Sequence, residues 1–152
     1  MAIQVDLSKL REVDFEVKRE VWNKYKLSDG SILRLKVVVT KFLDTGETDP
    51  NTGFPRYIIA YQNLIAVTSD ERGAPSNKPI PSFPDIPKEL LEEINIVETI
   101  YEEWNTYIVD NKYVYETKPV ITSIYRIKGL YDATGCPVYH IFSQLVHRVK
   151  TV

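Results

Sequence analysis

Apolar and polar residues alternate along much of this chain. Val17, Val21, Tyr25 and Leu27 share one parity with polar residues between them, which is the period-2 signature of a strand. Asp29-Gly30 follows as a tight hairpin turn. Residues 32–43 predict a long second strand, with Leu33, Leu35, Val37 and Val39 on one face. Residues 44–55 are rich in Thr, Asp, Gly and Pro and read as a loop. Residues 57–68 predict a third strand, whose apolar parity drifts at Gln62-Asn63 and so predicts a bulge there. Short helical patterns precede each set of strands, at residues 7–13 and 87–94. The second begins with proline and early glutamates, which suit a first helical turn.

The whole pattern then recurs. Glu20-Val-Trp-Asn-Lys-Tyr25 matches Glu102-Glu-Trp-Asn-Thr-Tyr107 at an offset of 82, since 104 minus 22 is 82. Carried forward without a gap, that offset aligns Lys36 with Lys118, Thr40 with Thr122, Tyr57 with Tyr139 and Gln62 with Gln144. Over 16–68 against 98–150, 15 of 53 positions are identical. Chance would give about three or four, so this is an internal repeat. Upstream, Leu10 to Phe15 resembles Leu91 to Ile96 at an offset of 81.

These observations predict an α+β, mainly β protein made by tandem duplication of an αβββ unit. The repeats run over 1–69 and 85–152, joined by a proline-rich linker at 70–84. One unit alone buries little apolar area. The two are therefore expected to pack as one pseudo-two-fold, six-stranded antiparallel barrel or sandwich, the alternative being two beads on a tether.

Composition narrows the function. The chain has 152 residues and a net charge of -2, without the basic excess of a polyanion binder. No apolar run is long enough for a membrane helix and no secretory leader is evident, so cytoplasmic is the expected location. A single cysteine leaves no internal disulfide. Few Ala, Gln and His beside abundant Ile, Val, Glu and Lys lean toward a thermophilic source.

Catalytic and metal chemistry find little purchase. His140 and His147 lie seven apart on one predicted strand, on opposite faces and roughly 23 Å apart. Cys136 sits in a turn with no base adjacent. The oxygen-rich loop 44–53 lacks calcium-loop spacing and loses most carboxylates in its second copy. No phosphate loop, nucleophile elbow or zinc motif is present. No catalytic residue, metal site or cofactor is therefore assigned.

Residues present in both copies are the better candidates: Trp22 and Trp104, Tyr25 and Tyr107, Gln62 and Gln144. Trp22 shares the parity of Lys18, Glu20, Lys24 and Lys26, so an exposed contact surface is expected there. The leading expectation is a non-enzymatic interaction module serving a protein partner or self-association. The alternatives are a small-ligand binder with both glutamines in a pocket between the repeats, and a nucleic-acid accessory protein using its clustered tyrosines.

Overall fold

The computed structural model describes residues 7–152. It contains ten strands: β1 (Arg11–Val13), β2 (Phe15–Arg19), β3 (Asn23–Leu27), β4 (Ile32–Thr48), β5 (Pro55–Thr68), β6 (Leu91–Ile94), β7 (Ile96–Tyr101), β8 (Asn105–Val109), β9 (Tyr113–Tyr131) and β10 (Pro137–Thr151). They form two five-stranded antiparallel sheets rather than a closed barrel. In the first sheet the long β4 is flanked by β5 on one side and by β1 and β3 on the other, with β7 beyond β3. In the second, β9 is flanked by β10 and by β6 and β8, with β2 beyond β8.

Three expectations need correction. Among the described residues there are ten strands, not six. The two helical segments are single 3-10 turns, Leu7–Lys9 and Lys88–Leu90, that run directly into β1 and β6. Seven or eight residues are too few to sustain a helix on their own, while β4 and β9 offer free ladder partners. The strand expected over residues 17–27 is two strands in different sheets. Residues 20–22 carry the chain from β2 in the second sheet to β3 in the first.

Strand pairing in the two sheets corresponds at most positions. Asn23 pairs with Leu35 as Asn105 pairs with Thr117. Val13 pairs with Phe42 as Ile94 pairs with Ile124. Phe15 pairs with Val109 as Ile96 pairs with Leu27. The change of offset from 81 to 82 falls on one residue: Ile96 faces Leu27 and Glu98 faces Lys26, so Val97 is an extra, bulged residue.

A second bulge lies at Thr40, where Val39 faces Tyr61 and Lys41 faces Ala60. It recurs at Thr122. The bulge expected at Gln62-Asn63 is thus on the facing strand, at the threonine. Its hydroxyl explains the residue: Thr40 donates to the Ala60 carbonyl and Thr122 to the Phe142 carbonyl, each at 3.1 Å.

The sheets pack face to face over two cores that each draw on both halves of the chain. One holds Phe42, Val37 and Tyr57 with Tyr107, Val109 and Tyr115. Phe42 is its hub, with ring centroids 5.1–6.1 Å from Phe15, Tyr107, Tyr115 and Tyr57. The other holds Tyr25, Leu27 and Leu33 with Ile94 and Ile124. A third cluster joins Ile86 of the connecting segment to Ile127 and Val138. The segment between β5 and β6 therefore packs on the second sheet. Phe83 rests on Tyr125, His140 and Phe142 at 4.9–5.6 Å. Among the described residues no helix is long and apolar enough to cross a membrane.

Candidate interaction surface

The repeated Glu-x-Trp-Asn-x-Tyr segment occupies the crossover between sheets, and its polar residues tie the two crossovers together. The Tyr25 hydroxyl donates to Glu102 at 2.7 Å and the Tyr107 hydroxyl to Glu20 at 3.1 Å. The Val21 amide donates to Asn105 Oδ1 at 3.0 Å and the Glu103 amide to Asn23 Oδ1 at 3.2 Å. Each partner in the first half has its counterpart 82 residues on. A chain that leaves one sheet for the other loses ladder partners, and these side chains replace them.

Tyr25 and Tyr107, candidates for contact, are 2% and 0% exposed. Burial raises both hydroxyl pKa values above the ordinary tyrosine range, with the glutamate partner adding to the effect. They are architectural groups. Glu20, Glu102, Asn23 and Asn105 were legible as repeats, but the acceptor role needs the crossover geometry.

The tryptophans behave differently. Trp22 is 38% exposed, with the Arg34 guanidinium 5.3 Å from its ring centroid. Trp104 is half-buried beneath Lys118 and Arg148, at 4.9 and 4.1 Å. Gln62 and Gln144 are exposed and pair with Val38 and Val120 on the facing strands. Neither lines the two clefts described below.

The surface missed by the sequence reading is the middle of β5. Tyr61, Gln62, Asn63, Leu64 and Ile65 are all exposed. Tyr61 and Ile65 share the parity of buried Tyr57, so the strand loses cover on its inner face there. β5 pairs with β4 and, among the described residues, with no other strand. Residues 57–68 contain no charge, no glycine and no proline. Long edge strands ordinarily carry such features to prevent pairing with other chains. β10 is a second edge, with Phe142 and Val146 exposed.

A polar cluster sits at the β3–β4 turn. Asp29 accepts from the Ser31 amide at 3.0 Å and from the Tyr139 hydroxyl at 2.5 Å, and pairs with Arg126 at 3.4 Å. Burial alone would raise this carboxyl, but the hydrogen bonds and the Arg126 charge outweigh it and hold it below the ordinary range. Arg126 also pairs with Glu71 of the connecting segment. The cluster staples four segments: the β3–β4 turn, β9, β10 and the connecting segment.

His147 lies stacked on Tyr115 at 5.3 Å, and His140 under Phe83 at 5.6 Å. Among the described residues no group of three or more His, Cys, Asp or Glu could hold a metal ion. Comparison with family models, curated proteins and solved structures finds no match.

Proposed function

We propose that this chain is a non-enzymatic interaction module, formed by tandem duplication and strand exchange between its halves, that engages another polypeptide through the β5 edge. The observation that carries this reading is the run Tyr61–Ile65. It is apolar-rich, uncharged, exposed on both faces and located on an edge strand. Exposed apolar patches and unprotected edges favour association. Pairing with an incoming strand would satisfy the edge amides and carbonyls and cover Tyr61, Leu64 and Ile65 together. Trp22 adds a second exposed aromatic anchor.

The test compares wild type with a Tyr61→Lys, Ile65→Lys double variant in sedimentation velocity and in affinity capture from host lysate. Charge on an edge opposes strand pairing without touching the buried cores. The expected result is self-association or a discrete captured partner for wild type, lost in the variant with its melting temperature preserved. A wild-type chain that remains monomeric and captures the same proteins as the variant contradicts the proposal.

A further inference from the structure

Two clefts lie at corresponding places in the two halves. One, of about 540 Å³, opens between the β4–β5 connection and the end of β10, and its walls include Phe54, Pro55, Arg56, Tyr57, His147 and Val149. The other, of about 210 Å³, is bounded by the residues 82 positions away in either direction: Cys136, Pro137, Val138, Tyr139, Ile65 and Val67. All six positions correspond.

The smaller cleft is bordered by the connecting segment. Ile80 of the connecting segment lines it. The same segment is anchored on the adjoining β9–β10 turn, where the Gly73 amide donates to the Gly135 carbonyl at 2.9 Å and the Ser76 amide to the Asp132 carbonyl at 3.2 Å. An extended polypeptide thus already docks beside one of the two clefts.

The linings differ in charge. The smaller cleft has Val138 and Ile65. At those two positions the larger cleft has Arg56 and His147, over a floor of Tyr57 and Tyr115. Arg148 is committed to a two-point pairing with Glu116 at 3.0 and 3.1 Å. Arg56 is held loosely, 4.0 Å from Glu47, and is partly exposed. The carboxylate lining the cleft, Asp49, is turned onto the Asn51 amide at 2.8 Å. The larger cleft therefore combines an apolar aromatic floor with a guanidinium that has capacity for another carboxylate.

We infer that the larger cleft between residues 49–56 and 147–149 is a docking site for an extended, acidic peptide segment of another protein, laid as residues 71–80 are laid against the β9–β10 turn of the other half. The site is separate from the β5 edge and stands or falls independently of it.

The probe is a fluorescein-labelled decapeptide copying residues 71–80 with Arg72→Glu and Lys78→Glu, titrated into the full chain. Anisotropy is expected to show saturable binding. Amide shifts should concentrate at 49–56 and 147–149. The double variant Arg56→Val, His147→Ile, which installs the residues of the smaller cleft, should weaken binding about tenfold or more with its melting temperature retained. Charge reversal by Arg56→Glu should do the same. Absence of saturable binding, or binding unchanged in both variants, overturns the inference. So does benzoate saturating the cleft as tightly as the peptide, which would make it a small-anion site. Shifts confined to residues 61–65 would also overturn it, while leaving the edge-strand reading in place.

Discussion

The Tyr25 hydroxyl donates to the Glu102 carboxylate at 2.7 Å across 77 residues of sequence, and Tyr107 bonds Glu20 in the corresponding way across 87. Each bond joins the core strand of one half to the crossover of the other. Tyr25→Phe leaves Glu102 short of a donor, and Glu102→Gln weakens the bond. Each should cost about 1–3 kcal/mol by chemical denaturation. The Tyr25→Phe, Glu102→Gln double variant should cost less than the sum, because the two act on one interaction. Strict additivity would show that the bond contributes nothing.

Stability should fall at both pH extremes. The Asp29 carboxyl is held below its ordinary value of 3.8. A depressed carboxyl adds stability that is full above about pH 4 and lost as pH falls through the folded value. Tyr57, Tyr115 and Tyr139 are pushed up to about 12, in each case chiefly by burial. A raised tyrosine adds stability that is full below its ordinary value of 10 and lost as pH rises from there toward 12. Melting temperatures between pH 2 and 12 test both arms. Asp29→Asn should flatten the acid arm and also reduce the Tyr139 part of the alkaline arm, because Asp29 helps to raise that hydroxyl.

Val97 is an extra residue in the pairing of β7 with β3, absent from the corresponding pairing of β2 with β8. Deleting Val97 should recreate the β2 register and change stability by less than about 1 kcal/mol. Deleting Thr99, which faces buried Tyr25, should shift the strand and cost several times more. Urea titrations of the two deletions separate these outcomes.

Gly73 lies against the Tyr131 ring, and a side-chain carbon there would overlap it. Gly73→Ala should therefore release the connecting segment from the β9–β10 turn while leaving both cores intact. Limited proteolysis should show faster cleavage within residues 70–80, with little change in melting temperature. Unchanged cleavage would mean that the ring yields instead.

The parity of β4 and its turn were legible because one face is fully buried: Leu33, Leu35, Val37 and Val39 all point into the cores. The recurring Glu-x-Trp-Asn-x-Tyr pattern was legible in Trp22, Trp104 and their neighbours. The strand exchange was not. A period-2 pattern continues straight through Glu20 to Trp22 whether or not the chain changes sheets, so one strand was read where there are two. The bulge was placed on β5 because the pattern registers a slip in pairing and not which strand holds the extra residue. Exposure of Tyr61 and Ile65 was hidden for a related reason: both are apolar residues of an expected strand, and only the packing leaves them uncovered.

Amide hydrogen exchange across β5 is the most direct measure of edge docking. Residues 61–65 should exchange quickly in the dilute monomer and become protected in the associated form, with Tyr61→Lys, Ile65→Lys abolishing both association and protection. Protection that develops elsewhere while residues 61–65 still exchange at the monomer rate would contradict an edge-strand interface.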